Sequence, residues 1–101
     1  MNVQIHASFQ VNDYLQQVID EKMNKLNQYF NRITKTDLYL KIGEKRHRHA
    51  EDQIAELKVE VPGYTFFAED HSESFEKAVA GATDKVIQQI KKYKSQHYSH
   101  H

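Results

Sequence analysis

The stretch that decides the fold is "QIAELKVEVPGYTFFAE", residues 53–69. Ala55, Leu57, Val59 and Val61 alternate with Glu56, Lys58 and Glu60, the period-two pattern of a strand with one buried and one wet face. Pro62 presets its own φ and Gly63 accepts a positive one, so the pair makes a tight turn. The chain then returns as "YTFFAE", a short partner strand. The product is a hairpin with a single apolar face, and such a face is stable only when another layer covers it.

The flanks supply that layer. Upstream, "TKTDLYLKIG" (34–43) is a further strand, with Leu38, Leu40 and Ile42 on one side and Asp37, Tyr39 and Lys41 on the other. Between it and the hairpin, "EKRHRHAED" (44–52) is too charged for a core and reads as an exposed connection. At the start of the chain Val3, Ile5 and Ala7 alternate with Asn2, Gln4, His6 and Ser8 as another strand. Leu15, Val18, Ile19, Met23, Leu26 and Phe30 then recur at spacings of three and four, one stripe of a helix over about 13–31. Asn12 or Asp13 is its N-cap.

Downstream of the hairpin, "DHSESFEKAV" (70–79) opens a second helix, with Ser72 as N-cap and Glu73 and Glu76 complementing the dipole. Phe75, Val79, Ala82, Val86, Ile90 and Tyr93 form its apolar stripe. Gly81 within it either permits close packing on the sheet or is tolerated at about 1 kcal/mol relative to alanine. The order β-α-β-β-β-α predicts an α+β two-layer sandwich, a four-stranded sheet with two side-by-side helices on one face.

A chain of 101 residues is expected to form one domain, placed at residues 1–95 with a flexible histidine-rich tail at 96–101. The absence of cysteine removes disulfides, thiolate metal sites and thiol nucleophiles, and fits a reducing compartment. No apolar run approaches the ~18 residues a membrane span needs. "MNVQIHASF" (1–9) lacks the basic and apolar regions of a secretion signal. The expected location is the cytoplasm.

Formal net charge is zero, but it is unevenly spread: residues 1–48 carry +3, residues 49–84 carry −7 and residues 85–101 carry +4. Either these segments neutralise one another in the fold, or they polarise the surface enough to bind a polyanion locally. Topology favours polarisation. A helix that returns antiparallel to the first strand makes the next strand parallel to it, and two hairpin reversals send the second helix back the same way as the first. Lys22, Lys25 and Arg32 then share one end of the molecule with Lys85, Lys91, Lys92 and Lys94. Lysines at helix C-termini also suit the macrodipole with no partner at all.

The segments "MNVQIHA" (1–7), "KMNKLNQYFNRI" (22–33), "DLYLKIGEK" (37–45), "VEVPGYTFFAED" (59–70), "SESFEKAV" (72–79) and "DKVIQQIKKYK" (84–94), taken in order, resemble the ribosome hibernation promoting factor family. That family is also called ribosome-associated inhibitor A or sigma-54 modulation protein. The resemblance covers residues 1 to about 95 and implies a fold like that of double-stranded RNA-binding domains. It also implies binding to the small ribosomal subunit, its 16S-type rRNA and neighbouring ribosomal proteins, in the mRNA and tRNA channel, so that translation is repressed in resting cells. By position, the rRNA-binding residues it implies are Lys22 and Lys25 of the first helix and Lys85, Lys91, Lys92 and Lys94 of the last. Arg46 and Arg48, which lie in a variable loop, complete the rRNA-binding set that the resemblance implies. "AVAGATDKV" (78–86) departs from the bulkier apolar stretch usual at this place, and glutamine and lysine stand late in the last helix where relatives often have arginine. Long members append a second domain that pairs two ribosomes, so this chain is expected to be a short form.

Other readings of the same residues are weaker. His47, His49, Glu51 and Asp52 include metal-ligand types, but their spacing matches no defined site, so no metal and no cofactor is expected. The chain has no glycine-rich phosphate loop and no G-x-S-x-G elbow, and no enzymatic activity or small-molecule substrate is expected. Tyr29, Phe30, Phe66, Phe75 and Tyr93 fall on apolar stripes and read as core, whereas Tyr39 and Phe67 fall on the opposite sheet face. The alternative function is a protein-binding regulatory domain whose charge asymmetry meets an acidic protein partner.

Overall fold

The computed structural model describes residues 3–43 and 53–98, with side chains through Gln96. The hairpin forms as its sequence dictates. β3 (Gln53–Val61) and β4 (Tyr64–Ser72) pair antiparallel from Val61 opposite Tyr64 to Gln53 opposite Ser72. Gly63 takes a φ of 82°, the left-handed value that the turn needs and that a side chain would resist. β4 is longer than "YTFFAE" because it pairs along the whole of β3. This corrects the start of the last helix: Ser72 is the end of a strand. The cap is Ser74, whose Oγ accepts the Lys77 N–H at 3.2 Å and whose carbonyl accepts the Ala78 N–H at 3.0 Å.

β1 (Val3–Ala7) runs parallel to β2 (Lys35–Ile42), and β2 antiparallel to β3, giving one sheet in the order β1-β2-β3-β4. α1 (Asp13–Tyr29) starts on Asn12, whose side chain accepts the Leu15 N–H at 2.8 Å. It ends at Tyr29 rather than 31, because Phe30 turns extended and lays its ring edge-on to Phe66 and Tyr93. α2 spans Phe75–Tyr98, so a boundary after residue 95 falls within a helix.

Leu15, Ile19, Met23 and Leu26 of α1 and Ala78, Val79, Ala82, Val86, Ile87 and Ile90 of α2 are buried against Leu38, Leu40, Leu57, Val59 and Phe66 of the sheet. Ile42 leaves this pattern. It shares a face with Leu38 and Leu40 but is 62% exposed, paired with Gln53 near the open end of the sheet. Helix direction follows from three contacts. Phe9 stacks on Phe75 where both helices begin, Lys25 lies 3.9 Å from Asp84, and Lys94 reaches the Tyr29 carbonyl at 2.8 Å. The helices are side by side and parallel.

Gly81 has a packing reason. A Cβ at this position would fall on the Asp70 carboxylate of β4, so the missing side chain lets α2 settle over an acid on the helix-covered face. Lys85, one turn on, pairs with that acid at 3.1 Å and donates to the Glu69 carbonyl at 2.8 Å. One further turn along, the Gln89 amide donates to the Phe67 carbonyl at 2.7 Å and accepts the Phe67 N–H at 3.3 Å. Two side chains of α2 thus satisfy the Phe67 N–H and carbonyl and the Glu69 carbonyl on the outer side of β4, an edge strand that otherwise invites another strand.

On the outer face, Asp37 is only 4% exposed. An ionised carboxylate only accepts hydrogen bonds, so the His6 ring must donate its Nε2–H across the 2.9 Å contact. The His6 ring in turn stacks on Tyr39 at 4.4 Å. The His6 hydrogen bond holds the Asp37 carboxyl below its ordinary value; burial opposes it, and Lys35 and Lys58 reinforce it. A folded-state value below the unfolded one means that the unfolded chain binds more protons in the interval between them. The stabilisation is therefore complete above the unfolded value of 3.8 and disappears as pH falls through the folded value. The urea-midpoint gap between wild type and Asp37→Asn is expected to be level above about pH 5 and to shrink toward pH 3. A gap that does not vary with pH would remove Asp37 as its source.

Candidate nucleic-acid interface

The shared end of the two helices is organised by Tyr29. As the last residue of α1, its carbonyl is one of the helix's unsatisfied acceptors, at the negative pole of the dipole. The last turn of α1 has no basic residue of its own. Lys94 of α2 supplies the missing cation through its 2.8 Å hydrogen bond to that carbonyl. Lys91, three residues earlier, places its amine 5.3 Å from the centre of the Tyr29 ring, within cation–π range. Gln28, Tyr29, Phe30, Asn31, Arg32 and Lys94 line a shallow cleft here. The arrangement covers a helix terminus that would repel anions and presents ammonium groups in its place.

The other predicted residues divide by partner. Lys92 is exposed and has no acid partner among the described residues; it lies beside Tyr64, Gln89, Tyr93 and Gln96. Arg32 is exposed and Lys22 half-buried, and neither has an acid partner among the described residues. Lys25 is loosely opposed by Asp84 across the helix pair. Lys85 is not part of the group: it faces β4 and is held by Asp70 and the Glu69 carbonyl. Arg46 and Arg48 lie outside the described residues, as do His47, His49, Glu51 and Asp52. The structure therefore brings together Arg32, Lys91 and Lys94, with Lys92 on the neighbouring flank.

Sequence reasoning missed two aromatic residues. Tyr29 reads as core from its helical spacing but is half-buried under the lysines. Tyr64 reads only as a strand residue yet is 50% exposed at the same end, its ring 5.1 Å from that of Tyr93. Both depend on contacts between distant segments, which spacing within one segment does not display.

Residues 2–98 match the family described as Sigma 54 modulation protein / S30EA ribosomal protein. The chain belongs to this family. A similar member is the ribosome hibernation promotion factor of Deinococcus radiodurans, 25% identical over 88 residues. That alignment covers 87% of this chain and 46% of the relative, so the chain spans about half of that relative's length. Two solved structures share the fold. A ribosomal subunit interface protein from Coxiella burnetii superposes with a TM-score of 0.78 at 21% identity, over 94% of this chain and 99% of the other. The N-terminal domain of Thermus thermophilus Protein Y gives 0.72 at 21% identity, over 92% and 99%. The β-α-β-β-β-α architecture of the Sigma 54 modulation/S30EA family is thus present across nearly the whole chain. No helix among the described residues is long and apolar enough to cross a membrane.

Proposed function

We propose that this domain is a ribosome hibernation factor, which binds the small ribosomal subunit in its mRNA and tRNA channel and represses translation in resting cells. Family membership and the names of its relatives support that reading. The structural observation that carries it is the end built around Tyr29, where Lys91 and Lys94 are ordered by one residue of the opposite helix with Arg32 and Lys92 beside them. Cations gathered at one end of a two-helix frame suit the phosphates of a folded RNA, which is read through backbone and shape. Inhibition then requires occupancy of the channel and no chemical step. The location that follows from this partner is the cytoplasm.

Co-sedimentation with purified small subunits through sucrose gradients tests the reading. The expected result is saturable binding near one copy per subunit, falling steeply as salt rises because each neutralised phosphate releases counterions. Absence of binding at low salt would overturn it.

A further inference from the structure

Tyr64 is the first residue of β4, directly after the Pro62-Gly63 turn, and it points to the helix side of the sheet with Phe66. Its ring rests edge-on against Phe66 at 4.9 Å and tilted against Tyr93 at 5.1 Å, while half of the residue stays exposed. Phe66 is held in turn by Phe30 and Tyr93. The result is an aromatic series that runs from the buried Phe66 to the surface and ends in a half-exposed ring. Single exposed aromatics are ordinary, so the ring alone assigns nothing.

Its surroundings do. A cleft of about 360 Å³ opens at the ring, lined by Tyr64, Gln89, Lys92, Tyr93 and Gln96 and by no acid. The Gln89 amide is committed to the Phe67 backbone, so it fixes the cleft's wall. Lys92 has no acid partner and Gln96 no hydrogen bond among the described residues. An apolar plane, an amide offering both a donor and an acceptor, and an ammonium group complement the parts of one nucleotide: base face, base edge and phosphate. Acidic protein segments would pair with Lys92 but would leave the aromatic plane without a matching group.

We infer that Tyr64, with Lys92 and Gln96, forms a stacking subsite for a single unstacked base of the small subunit's RNA. The inference rests on the ribosome-binding reading and adds to it a contact that electrostatics does not supply. Stacking on an aromatic side chain accepts any base, so the subsite selects an unpaired nucleotide rather than a sequence.

The test measures affinity for small subunits stripped of mRNA and tRNA, as a function of salt, for wild type, Tyr64→Ala, Tyr64→Phe and Lys92→Ala, with thermal unfolding confirming that each is folded. Tyr64→Ala is expected to weaken binding by about 5- to 100-fold with an unchanged salt slope. Tyr64→Phe is expected to bind as wild type. Lys92→Ala is expected to lose affinity and to reduce the slope by about one. A folded Tyr64→Ala protein with wild-type affinity, or a Tyr64→Phe protein as weak as Tyr64→Ala, overturns the stacking subsite while ribosome binding stands. Wild type failing to bind the stripped subunits overturns both, beginning with the ribosome reading.

Discussion

Replacing Lys91, Lys92 and Lys94 together with alanine is expected to weaken binding to small subunits on the order of a hundredfold at low salt, taking about 1 kcal/mol for each phosphate contact. The slope of log affinity against log salt should fall by about two to three, since three neutralised phosphates no longer release their counterions. The fold should survive. All three side chains are exposed. What folding loses is one cation–π contact and one hydrogen bond to the Tyr29 carbonyl, about 1–2 kcal/mol together. A Lys85→Ala control separates charge in general from charge at this end. Lys85 faces β4 and is bonded to Asp70 and Glu69, so its removal should lower stability without altering the salt slope. If the folded triple variant keeps the affinity and salt slope of wild type, the lysines do not meet RNA and the site lies elsewhere on the domain.

The contrast between Lys85 and Lys91 marks how far a sequence can be read. Both are basic residues of one helix, and the resemblance to relatives assigns them the same role. What separates them is which neighbour each faces: Lys85 meets Asp70 of β4, and Lys91 meets the ring of Tyr29 on α1. The periods that located the elements are local: alternation at 55–61 and the spacing from Leu15 to Leu26 depend only on one face being buried. Parallel helices followed as well, because counting reversals needs only element order. Ser72 and Ile42 were misread for the converse reason. Each obeys its local pattern, but the extent of β3–β4 pairing and the reach of the helices are fixed between segments. Tyr29 likewise acquires its role only when a carbonyl at the end of α1 meets a lysine sixty-five residues on.

Gly81 gives the prediction with the sharpest sign. By helix propensity alone, Gly81→Ala should stabilise α2 by about 1 kcal/mol, since alanine loses less backbone freedom on folding. The structure reverses this. The new methyl group would occupy the place of the Asp70 carboxylate, which is anchored by Lys85 at 3.1 Å. Either that ion pair breaks or α2 lifts from β4, and overpacking of this kind costs about 1–3 kcal/mol. The two effects separate in a double-mutant cycle. Gly81→Ala is expected to lower the urea midpoint in the wild-type background and to raise it when Asp70 is already glycine, because the carboxylate and the Cβ that would lie 3.2 Å from the new methyl group are then both gone and only the propensity gain remains. The coupling between the two positions should be about 1–3 kcal/mol, as for residues in direct contact. Equal effects of Gly81→Ala in both backgrounds would mean that Asp70 does not sit under the helix, and the close approach of α2 to β4 would need another cause. Opposite signs would show that one glycine sets the height of α2 over the sheet, and with it where Lys91, Lys92 and Lys94 stand relative to Tyr29 and Tyr64.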